Sequence, residues 1–127
     1  MKTLIIGGGP AGMMAAISAS DSGDDVILFE KNEKLGKKLF ITGKGRCNVT
    51  NACDSDELFK NLVRNPRFLY ASLNELDNHG IMELFEKLGV KLKTERGDRV
   101  FPESDHASDI TNALERELRR LKVSIML

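Results

Sequence analysis

Apolar residues follow two patterns along the chain, and the change between them divides it. Near the N-terminus they are contiguous: Leu4, Ile5 and Ile6, then Val26, Ile27, Leu28 and Phe29. Short unbroken runs of this kind predict strands buried on both faces, as in a parallel sheet. Residues 2–6 are therefore expected to form a fully buried strand, with residues 26–29 parallel beside it. Between them Met13, Ala16, Ile17 and Ser20 recur at helical spacing and predict a helix over residues 10–20 lying on the sheet. Asp21-Ser22-Gly23-Asp24 is turn chemistry and ends that helix.

From residue 55 the pattern becomes helical and charged. Leu58, Phe59, Leu62 and Val63 predict a helix with Asp54 or Ser55 as its cap, interrupted at Asn65-Pro66. A second helix is expected over residues 67–76, with Phe68, Leu69, Leu73 and Leu76 inward. Asn78 is expected to cap a third, in which Ile81, Leu84, Phe85 and Leu88 form the buried stripe and Gly89 the stop. Residues 90–94 and 99–101 flank Arg96-Gly97-Asp98, a hairpin with Gly97 in its turn rather than an adhesion signal. After Pro102, Ser104 and Asp105 are expected caps for a helix over residues 107–121. Its buried stripe is Ile110, Leu114, Leu118 and Leu121, and Glu115 with Arg119 adds an i, i+4 pair worth a few tenths of a kcal/mol. Residues 123–127 then begin another apolar strand, and a right-handed crossover would return it to the parallel sheet.

Candidate chemistry begins in the first turn. Gly7, Gly9 and Gly12 satisfy G-x-G-x-x-G between a predicted strand and a predicted helix, and Glu30 ends the next strand 18 positions after Gly12. Each glycine has its own task. Gly7 permits the sharp turn, Gly9 lets backbone approach a pyrophosphate, and Gly12 lets the helix pack closely. Pro10 suits the first helical turn, where its missing N–H is no loss. The remaining N–H groups and the helix dipole would face phosphates, and Glu30 is placed to accept from a ribose hydroxyl.

Residues 31–51 are basic and punctuated by glycine: Lys34, Lys37, Lys38, Lys44 and Arg46 face Glu33 as the one acid, and Gly36, Gly43 and Gly45 break any long helix. Such a run by itself reads as a solvated loop. Leaving the end of the second strand, where open α/β sheets bind ligands, it is also placed for a second contact with a diphosphate or a flavin ring through backbone N–H groups, Lys44 and Arg46. Almost a hundred residues separate Glu30 from Val123, far more than an ordinary αβ connection. That excursion favours a flavin-type domain over a plain NAD domain.

Composition narrows the partners. Nineteen basic residues balance nineteen acidic ones over 127 residues, which offers no global field for nucleic acid or anionic membrane. The first residues lack a signal-peptide core, no run approaches the roughly 18 apolar residues of a membrane span, and two cysteines suggest reduced thiols, so a cytoplasmic setting is expected. His79 and His106 are isolated, and no metal site is expected.

Three segments carry a resemblance: GGGPAGMMAA at residues 7–16, GKKLFITGKGRCNVTN at residues 36–51, and DRVFPESDHASDI at residues 98–110. Together they resemble the bacterial NAD(P)/FAD-dependent oxidoreductases of the aminoacetone oxidase type, also called BaiN-like. The resemblance implies an α/β fold: the first half of a Rossmann-like FAD-binding domain of the glutathione-reductase type, with a mainly helical excursion after the second strand. It implies FAD as cofactor, with NAD(P)H as electron donor in full-length members. Gly7, Gly9 and Gly12 would meet the pyrophosphate and Glu30 the adenosine ribose. Gly8, Pro10, Ala11, Lys31, Lys38, Thr42, Gly43, Gly45, Arg46, Cys47 and Asn48 complete the implied cofactor-binding set, with residues 43–48 beside the flavin.

Family members run to two or three times this length, so residues 1–127 are expected to be a partial domain, without the substrate domain and the second half of the sheet. Catalytic residues and substrate are not legible. The isolated chain is expected to be a truncated or fragmentary product, catalytically incompetent, a small-molecule substrate being bound only once missing segments are supplied. Two other readings stay open: a non-catalytic nucleotide-binding fragment that needs a partner chain, and an NAD-binding domain. An unfinished sheet would also favour self-association. Cys47 and Cys53 are separated by five residues, against four in disulfide reductases, and a single buried thiol near the cofactor is the preferred reading over a redox pair.

Overall fold

The computed structural model describes all residues, Met1–Leu127. Strand β1 (Lys2–Ile6), helix α1 (Pro10–Asp21) and strand β2 (Asp25–Phe29) form the opening unit. A broken 3-10 segment (Lys37–Gly45) leads to a short strand β3 (Thr50–Asn51), helix α2 (Ser55–Lys60), a 3-10 turn (Pro66–Leu69) and helices α3 (Tyr70–Glu75) and α4 (Asn78–Lys87). A hairpin of β4 (Leu92–Glu95) and β5 (Arg99–Pro102) precedes helix α5 (Ala107–Arg120) and strand β6 (Ser124–Met126).

Two sheets result. The first is parallel, in the order β1-β2-β6, with Leu4 opposite Ile27 and Leu28 opposite Ile125. The second is antiparallel, in the order β3-β5-β4. It is anchored where Thr50 pairs with Val100 and Asn51 with Arg99, and its hairpin turns at Gly97 (φ +75°) and Asp98 (φ +56°). Residues 50–51 were expected to be loop. Two residues carry no periodicity, and they extend only because the hairpin supplies a partner 50 positions away.

Helices α1 and α5 pack together against one face of the parallel sheet. Met13, Ala16 and Ile17 meet Val26 and Leu28 below and Ile110, Leu114 and Leu118 beside them, all buried. Ser20 ties the two helices by donating to Leu121 O at 3.0 Å. The stripe expected for α4 also holds, with Phe85 buried, Ile81 and Leu88 packed against the core, and Gly89 (φ +85°) turning the chain so that Val90 N–H donates to Phe85 O at 2.9 Å.

Several expectations need correction. Residues 2–6 are not fully buried: Leu4 is 60% and Ile6 82% exposed, because helices cover only one face of the sheet and β1 is an edge strand. Phe29 and Met126 share that open face. Val63 is fully exposed and Phe68 is 79% exposed, and Leu69 and Leu76 also face solvent. Pro66 and a left-handed Asn65 (φ +50°) break residues 61–76 into a short 3-10 turn and a six-residue helix, so no continuous stripe can form. Asp77, not Asn78, caps α4, accepting from Gly80 N–H at 2.7 Å. Asn78 is buried and donates to Asn51 O and Cys53 O, both at 2.7 Å, which joins α4 to β3. Neither Ser104 nor Asp105 caps α5; His106 occupies that position without a side-chain bond. Ser104 donates instead to Asp109 at 2.6 Å, and Asp105 turns toward Lys93 and Arg46. Arg119 and the half-buried Glu115 stand 3.8 Å apart, a pair of little weight.

Replacing Leu118, fully buried between α5 and the sheet, by alanine should cost about 2–5 kcal/mol in urea unfolding. Val63→Ser, by contrast, should stay within about 0.5 kcal/mol; equal losses at both positions would contradict this assignment of the core.

Candidate nucleotide site

The site is built where β1 ends. Gly7 (φ +103°) turns the chain and donates to Phe29 O at 2.7 Å, so the strand ladder continues into the turn. Gly8 is buried, and a Cβ there would fall 2.3 Å from Leu35 and 3.1 Å from Glu30. At Gly12 a Cβ would lie 1.8 Å from the carbonyl oxygen of Gly7. Gly12 is thus required by backbone packing, whereas a side chain at Gly8 would have to displace Leu35. Gly9 is different: a Cβ there would meet nothing within 4 Å. The space is open at the N-terminus of α1, where no side chain caps the helix and no acid lies in its first turn. The N–H groups of Ala11 and Gly12 face that space with the positive end of the helix dipole. Pro10 occupies the first helical position, as expected.

Glu30 stands at the end of β2, and its carboxylate is held from two directions. Gly8 N–H donates to one oxygen at 2.7 Å, and Asn32 N–H to the other at 2.8 Å. The Asn32 and Gly8 N–H groups hold its carboxyl below the usual glutamate range, against a smaller opposite effect of burial. It remains a carboxylate at neutral pH with lone pairs to spare for a ribose hydroxyl. Asn32 was not anticipated, although an asparagine two residues after a site acid is a readable signal. Gly36 N–H donates to Gly8 O at 2.8 Å and brings the segment after β2 onto the turn.

The second motif converges on the first. Pro10 and Met14 of α1 line one small apolar cavity, about 130 Å³, together with Leu39, Cys47, Asn48 and Val49. Thr42 donates to Leu39 O, while Gly43 (φ +55°), Lys44 (φ +58°) and Cys47 (φ +63°) take left-handed conformations. Gly43 is required, since a Cβ would lie 2.8 Å from Asn48 N and 2.9 Å from the Phe101 ring. Cys47 is buried, and desolvation pushes its thiol up, against a weaker pull from Thr42. Such a thiol is a poor nucleophile. Cys53 is half-buried, and both cysteines are free. Asn48, with its amide turned to donate, reaches Thr50 O at 3.0 Å and Val100 O at 3.2 Å. Lys31, Lys38, Lys44 and Gly45 are exposed around this segment.

Arg46 differs from expectation in its surroundings. Its Nη1 donates to Glu95 at 2.9 Å and Asp105 at 3.2 Å, and its guanidinium lies 4.0 Å from the Phe101 ring centroid. Lys93 closes the group at 2.7 Å from Asp105 and 3.6 Å from Glu95. Sequence reading missed Glu95, Asp105 and Phe101 as partners. They lie 49 to 59 positions away, and nothing local marks them. A recess of about 540 Å³ between Gly89 and Arg116 lies away from both motifs.

The model of the HI0933-like protein Rossmann domain matches residues 1–127 in full. The chain belongs to this family. It is 40% identical over 123 residues to the 3-dehydro-bile acid delta(4,6)-reductase of Clostridium scindens, covering 95% of this chain and 29% of that protein. It is 30% identical over 124 residues to the ribosomal RNA dihydrouridine synthase of Escherichia coli, covering 98% and 30%. The chain thus spans about three-tenths of the length of these curated relatives. Among solved structures, Thermovibrio ammonificans THI4 superposes with a TM-score of 0.64 at 15% identity, over 98% of this chain and 38% of that one. The expected fold class holds: a Rossmann-type parallel sheet with helices, in an FAD-type oxidoreductase family that supports a flavin or nucleotide cofactor. No helix is long and apolar enough to cross a membrane.

Gly12→Ala, which must displace the Gly7 carbonyl, should lose about 3 kcal/mol or more in denaturant unfolding, in spite of alanine's better helix propensity. Gly9→Ala should stay within about 1 kcal/mol of the parent, since nothing in the protein opposes its methyl group. A stability loss at Gly9 as large as that at Gly12 would show that the open space is not reserved for a ligand.

Proposed function

We propose that this chain is the FAD-binding portion of a flavin-dependent oxidoreductase. The observation that carries the reading is the contrast between Gly9, which the protein itself leaves open beside an uncapped helix N-terminus, and Gly8, whose N–H is held by the Glu30 carboxylate. Gly7–Gly12 and the first N–H groups of α1 would hold the pyrophosphate, and Glu30 the adenosine ribose. Residues 43–48 and the lysines at 31, 38 and 44 would lie along the remainder of the cofactor. When bound, FAD would accept and pass on electrons, with NAD(P)H as donor in the longer proteins. The chain's own residues supply grip and orientation: helix N–H groups against negative phosphates, and a carboxylate that fixes a ribose.

The two relatives are named for a bile acid and for ribosomal RNA. A cofactor grip common to both leaves substrate choice to the rest of the longer proteins, so we assign no substrate here. Likewise, the open face bearing Leu4, Ile6, Phe29 and Met126 is, in our reading, covered by further polypeptide in those proteins and by self-association in the isolated chain.

Titrating the purified chain with FAD and, separately, with NAD, followed by flavin fluorescence and by calorimetry, tests the reading. FAD should bind and NAD should not; the reverse would establish the NAD-binding alternative. Glu30→Ala should weaken FAD about tenfold, the scale of one charge-assisted hydrogen bond. The pH dependence follows from the sign of the Glu30 shift. A carboxyl already held below the ordinary glutamate value, about 4.3, in the folded chain stays ionised and able to accept a hydrogen bond until pH falls through that lowered value. Binding should therefore be flat from neutrality down to about pH 4.3 and fall only below it, and a loss centred near neutrality would mean that another group holds the ribose.

A further inference from the structure

We propose that Arg46, Glu95, Asp105 and Lys93 form a positioning clamp for residues 42–48, and that Arg46 makes no contact with the cofactor itself. The proposal deepens the FAD reading, on which its ligand-binding part rests.

The segment needs holding. Lys44 and Cys47 are non-glycine residues in left-handed backbone, a conformation that persists only where surrounding structure over-determines it. The segment's own bonds are long: Cys47 N–H to Thr42 O is 3.2 Å and Arg46 N–H to Gly43 O is 3.3 Å. Further contacts come through the Arg46 side chain, which reaches three other elements. It pairs with Glu95 on β4, stacks on Phe101 of β5, and pairs with Asp105 in the turn before α5. Gly43 packs against the same Phe101 ring from its backbone, so one aromatic side chain contacts the segment at two positions.

The same contacts occupy Arg46 Nη1 and offset its charge, which lowers its attraction for an anion. Two cations and two carboxylates sum to zero charge, and one face of the guanidinium is covered by the ring. A neutral cluster adds little attraction for a diphosphate. It instead fixes a short stretch of backbone whose amides, with the exposed Lys44, remain to face the cofactor.

The experiment compares the 127-residue chain with the double variant Glu95→Gln/Asp105→Asn and with Arg46→Met. It measures amide hydrogen exchange by mass spectrometry and FAD affinity by fluorescence. If the clamp operates, exchange over residues 42–48 rises about tenfold in both variants while β2 and α5 are unchanged, and FAD weakens by a similar factor. Unchanged exchange in the segment overturns the proposal. So does tighter FAD binding in the double variant with loss of binding in Arg46→Met, because an arginine released from its acids would then be the ligand. Should the double variant fail to fold, Asp105→Asn alone is read in the same way, at about threefold. If the parent chain binds no FAD, the FAD reading fails, and exchange still decides the clamp.

Discussion

The structure depends on how closely three pieces of backbone approach at the end of the first strand. Gly12 lies against the carbonyl of Gly7 with no room for a methyl group, and Gly8 N–H reaches the carboxylate of Glu30, 22 positions on. These contacts lock the start of α1 to the ends of β1 and β2 together. The helix N-terminus itself stays uncapped, because the N-cap residue, Gly9, has no side chain. Glu30 is held by Gly8 and Asn32, and the first helical N–H groups keep their capacity for an anion.

From that point the chain makes a long excursion and is brought back by a second, smaller sheet. The β4–β5 hairpin does more than connect α4 to α5. It pairs with β3, carries Phe101 beneath Gly43 and Arg46, and presents Lys93 and Glu95 to the glycine-rich segment. The cluster is partly exposed, and its contribution to global stability is modest. Its importance is local, because it fixes a segment with two strained non-glycine residues. Lys93 and then Arg46 hold the Asp105 carboxyl below the usual aspartate range, which keeps the cluster paired through the neutral region.

The parallel sheet is covered on one side. Contiguous apolar runs in β1 and β2 fit strands with two buried faces. Here, however, Leu4, Ile6, Phe29 and Met126 face outward. The relatives of this family are more than three times as long as the portion matched. Pattern and fold thus disagree in a specific place, the face away from α1 and α5.

The sequence by itself determined the opening β1-α1-β2 unit, the three glycines with Glu30, the α4 stripe, the hairpin and the final helix and strand. Each of these is written in periodicity or turn chemistry within a window of a few residues, where local sterics and the alternation of apolar positions decide. Tertiary structure decided the rest. It made Thr50 and Asn51 a strand, left Val63 and Phe68 in solvent, moved the cap of α4 from Asn78 to Asp77, and turned Asp105 from helix cap to ion partner. It also tied Arg46 to residues some fifty positions away. The physical reason is common to all of these. Whether a side chain is buried, paired or exposed depends on which distant surface reaches it, and a local pattern records only what a residue can offer.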